Sequence, residues 1–149
     1  MTTHISNRLR KLVIRRANQR CEYCLLHQDD EPIYPHEVDD IIAEKHSGLT
    51  QADNLAYACF YCNRFKGSDL ASIDPLTDEI TPLFNPRTHV WNDHFVLDEA
   101  IIVPLTAVGR VTVALLKMNR PRFIERRVYL IRLNRYPRSP RSPAPASPP

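Results

Sequence analysis

The sequence predicts a small α+β domain, and three observations support this fold class. Two Cys-x-x-Cys pairs, Cys21 with Cys24 and Cys59 with Cys62, lie on either side of a polar segment. Stripes of apolar residues at helical spacing occur before the first pair and again near the C-terminus. Short strand-like runs lie between the two pairs and around residues 101–103. A chain of 149 residues has room for one such domain with a modest core.

Local patterns predict each element of the first half. Ser6 is a good N-cap for a helix over residues 7–18, which has an apolar stripe on one side. Residues 31–42 mix apolar and polar side chains and predict an extended hairpin arm. Residues 54–67 carry the second cysteine pair and predict a short helix that ends at Gly67.

The second half is predicted to be a C-terminal extension of the same domain. Three prolines interrupt residues 68–92, so we expect an irregular segment there. The later elements are a strand-like segment over residues 95–104, a helix from Thr106 to about Met118, and a last helix from Pro121 to about Asn134.

These elements give one domain over residues 1–135, with a core at about residues 15–70 and an extension over residues 71–135. Residues 136–149 are rich in Pro, Ser and Arg and lack the apolar residues needed for a core. We therefore expect this tail to be disordered.

The four cysteines have the ligand type and spacing of a tetrahedral zinc site. No run of residues is long enough to span a membrane, and the start of the chain lacks the apolar stretch of a signal peptide. We therefore expect a cytoplasmic, reducing location without membrane contact. Paired cysteines there are more often metal ligands than disulfides or redox thiols, which remain the alternatives.

Charge is segregated along the chain although the net charge is only +3. The segment before Glu22 is basic and has no acidic residue, and the segment after Arg110 contains a single acid, Glu125. The middle is acidic. Basic flanks around an acidic centre suit a polyanion handled with a divalent cation, but they also fit solvated faces of Arg-rich helices. Charge alone does not decide between these interpretations.

A longer motif favours the first of these interpretations, a polyanion handled with a divalent cation. Residues 36–70 contain an acidic pair, Asp39-Asp40, then a Gly-containing loop and Asn54-Leu55, and the second cysteine pair runs into Asn63-Arg-Phe-Lys-Gly. With the first cysteine pair, this pattern resembles the HNH endonuclease family over about residues 15–70. Residues 82–95 also resemble an extension found in a bacterial branch of that family.

The resemblance implies a ββα-metal core, a structural zinc ion on the four cysteines, and flanking N- and C-terminal helices. It also implies a catalytic Mg²⁺ or Mn²⁺ ion, with Asp39 and Asn63 as its ligands. Asn54 would hold the loop that positions the general base. The implied activity is metal-dependent hydrolysis of phosphodiester bonds in DNA, with RNA left open as a substrate.

One position departs from the family pattern. The family has a general-base histidine directly after the acid, and this chain has Asp40 there. An ordinary aspartate is a weak base, because its pKa is near 4. Asp40 could instead bind metal, and His36, His46 or His94 could replace the missing imidazole. The alternative function is a catalytically inactive, zinc-stabilised nucleic-acid-binding module, and a protein-interaction domain ranks third.

Each candidate side chain also has a structural interpretation. Asp39 and Asp40 could form a solvated loop pair, and Asn63 could cap a helix. Lys66 could bond the last carbonyls of its helix rather than a phosphate. Arg64, Lys66 and Arg87 are the weaker candidates for nucleic-acid contact. The sequence carries no signal for the oligomeric state.

Overall fold

The computed structural model describes residues 4–138 and confirms the α+β class. Its three sheets are two-stranded and antiparallel. The strands are β1 (Glu37–Asp40), β2 (Leu55–Ala58), β3 (Ala71–Ile73), β4 (Ile80–Pro82), β5 (Phe95–Asp98) and β6 (Ile101–Pro104). The helices are α1 (Asn7–Arg16), α2 (Phe60–Lys66), α3 (Trp91–His94), α4 (Ala107–Leu115) and α5 (Pro121–Arg132).

Helix α1 begins as the sequence predicts. The Ser6 hydroxyl accepts a hydrogen bond from the Leu9 N–H at 3.2 Å, a cap that stabilises a helix by about 1 kcal/mol. Val13 is fully buried on the face that packs against β2. The helix ends slightly early, because Asn18 and Gln19 adopt positive φ and turn the chain toward the first cysteine pair.

Strands β1 and β2 form the hairpin that carries the acidic pair. Asp39 is opposite Ala56, and Asp40 is opposite Leu55. Val38 packs with α1 in a small cluster that includes Val13 and Leu55. Because side chains alternate along a strand, Glu37 and Asp39 project to the side of the hairpin away from α1. The predicted extended arm is therefore confirmed over Glu37–Asp40.

Helix α2 covers that other side of the hairpin. Its first turn is capped by the Cys59 sulfur, which accepts from the Cys62 N–H at 3.4 Å. It ends at Gly67, where φ is +52°, so the predicted end is confirmed. The buried Lys66 ammonium donates to the Ile41 carbonyl at 2.8 Å and fixes the end of α2 to the segment after β1.

The irregular segment predicted over residues 68–92 is wrong in part, because β3 and β4 pair as a hairpin there and α3 follows. The fully buried Asp74 carboxylate accepts from the Arg110 Nε at 3.0 Å and from its Nη2 at 2.9 Å. This bidentate pair joins the β3–β4 hairpin to α4. An ion pair between residues far apart in the sequence produces no apolar periodicity, so the sequence does not indicate this hairpin.

The last helix and the segment after it pack against the first cysteine pair. Pro121 occupies the first turn of α5, as predicted. Tyr136 is buried, and its hydroxyl donates to the Cys24 carbonyl at 2.7 Å. Arg138 pairs with Asp30 at 3.0 Å. The packed part of the chain therefore reaches at least Arg138, beyond the predicted start of the tail, and residues 139–149 lie outside the described residues.

Within residues 4–138, no helix has both the length and the apolar character needed to cross a membrane.

Candidate functional site

The four cysteines converge on one point. Their sulfur atoms all lie within 4.8 Å of one another, and every one of the four residues is buried. The Cys24 and Cys59 sulfurs are 3.7 Å apart. Sulfurs that bind zinc at about 2.3 Å in a tetrahedron are about 3.8 Å apart. The cluster therefore fits a structural zinc ion, which would join the start of the domain to α2.

Contacts among the sulfurs shift the pKa values of three of the four thiols. The hydrogen bond between Cys21 and Cys24 lowers the pKa of Cys24, whereas hydrogen bonding with Cys21 raises the pKa of both Cys59 and Cys62. A bound divalent ion would change this balance, because a coordinating thiol loses its proton.

Asp39 and Asn63 lie on the same side of the β1–β2 hairpin. Asp39 shares its strand face with Glu37, and α2 packs on that side. The Asn63 Nδ2 donates a hydrogen bond to the Glu37 carboxylate. This contact uses the donor end of the amide, so the Oδ1 of Asn63 stays free to accept or to bind a cation. The Asp39 carboxylate and the Asn63 amide are thus on one side of the hairpin, and carboxylate and amide oxygens are the ligands of hard divalent ions.

The local environment of Asp39 is partly apolar. Burial raises the pKa of the Asp39 carboxyl group, and the nearby Lys66 ammonium partly opposes this shift. Burial likewise lowers the pKa of Lys66, and Asp39 is the main group that raises it. Asp39 forms no described ion pair, so its half-buried carboxylate is incompletely neutralised, which favours the binding of a metal cation.

Asp40 projects to the opposite face of β1, toward the loop that follows the strand. Its Oδ1 accepts a hydrogen bond from the Thr50 hydroxyl at 3.2 Å. Burial raises the pKa of Asp40, with a further increase from Glu44, while the Thr50 contact lowers it. A raised pKa brings this carboxylate closer to the range in which it can act as a base.

The three histidines differ in their surroundings. His36 is buried directly before β1. Its Nε2 lies 2.8 Å from the Leu26 carbonyl oxygen, so this ring nitrogen already has a hydrogen-bond partner. His94 lies in the extension, where its Nδ1 is 2.6 Å from the Thr106 hydroxyl and its ring packs against Phe84. His46 is exposed in the loop between β1 and β2. Of these three, only His46 is exposed to solvent.

Asn54 holds the loop between the two strands. Its amide nitrogen donates to the carbonyls of Ile42 and Leu49, both at 2.9 Å, and its oxygen accepts from the Ile42 N–H at 3.0 Å. Gly48 allows the two ends of this loop to approach closely, because a Cβ atom at that position would lie 1.7 Å from the Ile42 carbonyl oxygen. The side chain thus fixes the segment that follows Asp40.

The three weaker candidates for nucleic-acid contact are placed differently. Arg64 is exposed on α2, with its guanidinium 4.8 Å from the Phe60 ring centroid. Lys66 is only 4% exposed, which supports the structural interpretation of a residue bonding nearby carbonyls. Arg87 faces inward and forms an ion pair with Glu22. Their placement argues against phosphate contact by Lys66 and Arg87.

A known family matches the part of the chain that carries the cysteines, the acidic pair and the two asparagines. Residues 21–69 match the family model for HNH endonuclease. This HNH segment begins at the first cysteine of the zinc-type cluster and includes Asp39, Asn54 and Asn63. Neither the curated proteins nor the solved structures that were compared include a match to the chain. The HNH match indicates a nuclease-type or nucleic-acid-related function.

Two polar residues of the HNH segment were not predicted as site residues. Glu37 contacts Asn63, and Thr50 contacts Asp40. Glu37 could have been found from its spacing, because it lies two residues before Asp39 on a predicted strand. Thr50 lies in a loop, and no periodic pattern indicates which way its hydroxyl points.

Proposed function

We propose that this chain is a metal-dependent endonuclease that hydrolyses phosphodiester bonds in DNA, with RNA as a secondary candidate. The observation that carries this proposal is the placement of Asp39 and Asn63 on one side of a hairpin, within a segment that matches the HNH endonuclease family. A reducing cytoplasm would keep the four thiols available for zinc.

Asp39 and Asn63 would hold the divalent ion through oxygen atoms. Glu37 supports this role, since it accepts from the amide nitrogen of Asn63 and thereby directs the amide oxygen elsewhere. A bound Mg²⁺ or Mn²⁺ supplies charge stabilisation for the phosphate oxygens and the leaving group. Removal of either ligand is expected to weaken both ion binding and cutting.

Asp40 stands at the sequence position of the family's general base, directly after Asp39. Its partial burial raises its pKa, and Thr50 orients its carboxylate. A carboxylate is nevertheless a weaker base than imidazole at neutral pH, so we expect slow cutting. The exposed His46 is the second candidate for this proton transfer, and Asn54 fixes the loop that carries it.

Further phosphate contacts would come from the basic helix α1, outside the candidate ion site. Five residues of α1 are exposed and basic, and no described ion pair involves them: Arg8, Arg10, Lys11, Arg15 and Arg16, the last of which donates to the Leu55 carbonyl. Such residues bind the backbone without reading the base sequence.

The test is nicking of supercoiled plasmid by the wild-type chain and by Asp40→His, each with and without Mg²⁺ or Mn²⁺. We expect slow, ion-dependent nicking by the wild type. Restoring an imidazole should accelerate it by about 10²–10⁴-fold, the usual contribution of a general base. His46→Ala tests the second candidate and should lower the wild-type rate if His46 supplies the missing base.

The alternative is an inactive nucleic-acid-binding module, which the aspartate at position 40 favours. In that case both proteins would bind plasmid DNA, and neither would cut it with either ion. That result would remove the nuclease proposal and leave the binding function.

A further inference from the structure

Three side chains beside the candidate site form a layered contact. The rings of Tyr34 and Phe60 are stacked, with centroids 4.3 Å apart and planes 15° apart. The Arg64 guanidinium lies 4.8 Å from the centroid of the same Phe60 ring. We call Tyr34, Phe60 and Arg64 the Tyr34 cluster.

The Tyr34 cluster adjoins the candidate ion ligands. Arg64 directly follows Asn63 on α2, and Phe60 lies one turn before Arg64 on the same helix. Tyr34 lies three residues before Glu37, the residue that accepts from the Asn63 amide. A strand of nucleic acid held by the ion would therefore pass next to this cluster.

The cluster is both exposed and held in place. Tyr34 is 39% exposed, although it is a large aromatic residue. The Glu31 Oε1 accepts the backbone N–H groups of Ile33 and Tyr34 at 3.0 and 3.2 Å. The other Glu31 oxygen pairs with Arg126 at 2.5 Å. The loop thus presents the ring in a fixed orientation before any ligand arrives.

The charge of Arg64 is not balanced by a carboxylate. None of the ion pairs within residues 4–138 involves Arg64. Its contact with the Phe60 ring holds the guanidinium while leaving its N–H groups available. Tyr34 and Arg64 both contact the Phe60 ring, so the cluster offers an aromatic face for a base and a cation for a phosphate of the same strand.

We propose that the Tyr34 cluster binds an unpaired nucleotide, with its base stacked on Tyr34 and an adjacent phosphate on Arg64. This inference rests on the proposed function, because it extends the same nucleic-acid site. Bases inside a duplex are already stacked on their neighbours, whereas an unpaired base offers a free face. The cluster therefore gives the site a preference for single-stranded or locally opened nucleic acid.

The test compares Tyr34→Leu with the wild type in binding to a short thymidine oligonucleotide and to a blunt duplex of equal length. Fluorescence anisotropy without added Mg²⁺ or Mn²⁺ measures binding and excludes cutting. We expect the Kd for the single strand to rise about tenfold and the Kd for the duplex to change less than about twofold. Tyr129→Leu is the matched control, because Tyr129 is an exposed tyrosine on α5 and should leave both values unchanged.

An abasic oligonucleotide separates the base from the phosphate. It retains the backbone but offers no ring, so the wild type and Tyr34→Leu should bind it equally. Arg64→Gln should weaken its binding, because the phosphate contact remains. An unchanged Kd for the single strand in Tyr34→Leu, an equal loss on the duplex, or a difference that persists on the abasic strand would overturn the proposal.

A measurement on the unaltered protein covers the case in which Tyr34→Leu does not fold. Irradiation of the wild type with a 5-iodouracil oligonucleotide should yield an adduct on Tyr34, identified by mass spectrometry. Adducts confined to other residues would refute the stacking. Neither experiment needs cutting, so failed plasmid nicking with intact Tyr34-dependent binding would reject the nuclease proposal alone.

Discussion

At the scale of single residues, the proposed ion-dependent cutting depends on Asn63. Its amide nitrogen is held by Glu37, and its oxygen is left for a cation on the side of the hairpin that carries Asp39. The side chain is half-exposed and fills no cavity in the core. Its proposed importance is therefore functional, and its removal should have little effect on folding.

Asn63→Ala should abolish ion-dependent nicking while changing the free energy of unfolding by less than about 0.5 kcal/mol. Plasmid nicking and thermal unfolding measure the two effects. The matched control is Asn92→Ala, which changes an exposed asparagine in α3 and should leave both quantities unchanged. Full cutting by Asn63→Ala would remove this residue from the ion site.

The sequence predicted some residues of the site better than others. Asp39, Asn54 and Asn63 stand at fixed distances from the cysteine pairs, so a sequence motif can carry them. Thr50 reaches Asp40 only through the path of the intervening loop. Arg87 was one of the weaker candidates for nucleic-acid contact, but its ion pair with Glu22 depends on how the extension packs.

At the scale of elements, the cysteine cluster holds α2 against the start of the domain. Two sulfurs come from the segment after α1 and two from the beginning of α2. The position of Asn63 follows directly, because it is the residue after Cys62. A structural zinc ion would therefore act on the candidate site through the placement of α2.

Cys59→Ser should lose bound zinc and unfold this end of the domain, because zinc affinity and folding are coupled. Zinc content by atomic spectroscopy and thermal unfolding measure the outcome. A strong zinc chelator added to the wild type should reproduce the loss, and added zinc should restore only the wild type. A fully folded Cys59→Ser variant would show that the cluster is not a structural metal site.

The β3–β4 hairpin depends on a buried ion pair. Arg110, chiefly through its hydrogen bonds, holds the pKa of Asp74 well below its usual range. A depressed pKa of this kind stabilises the fold above about pH 4, the usual value in an unfolded chain, and the stabilisation is lost as the pH falls further. This sequence-distant contact explains why residues 68–92 were predicted to be irregular.

Urea unfolding between pH 7 and pH 3 tests this pair. The wild type should lose stability below about pH 4, because Asp74 then takes up a proton in the unfolded chain while Arg110 keeps it ionised in the fold. Asp74→Asn should be less stable at pH 7 and should show a weaker dependence on pH in the acid range. Identical pH profiles for the two proteins would contradict the assignment. Asp78→Asn, at an exposed position in the same hairpin, is the control.

At the scale of the whole molecule, basic and acidic residues separate the proposed nucleic-acid-binding surface from the candidate ion site. The exposed basic face of α1 has no described ion-pair partners, while the hairpin carries Glu37, Asp39 and Asp40. The C-terminal segment is part of the packed domain, since Tyr136 bonds the Cys24 carbonyl. Composition predicted a tail from residue 136, but it could not show that one tyrosine would dock on the first cysteine pair.

DNA affinity should fall steeply with salt, because each phosphate contact releases a condensed counterion. Arg15→Gln should lower the slope of log K against log salt concentration by about 1. Fluorescence anisotropy at several salt concentrations measures the slope. An affinity that does not respond to salt would instead favour a protein-interaction domain.

Anomalous diffraction from crystals of the zinc-bound protein soaked in Mn²⁺ tests the two proposed metal sites directly. We predict one zinc peak among the sulfurs of Cys21, Cys24, Cys59 and Cys62, and one manganese peak between the Asp39 carboxylate and the Asn63 amide oxygen. Manganese found only at other acidic residues, in a crystal where these two side chains are open to solvent, would show that Asp39 and Asn63 do not form an ion site.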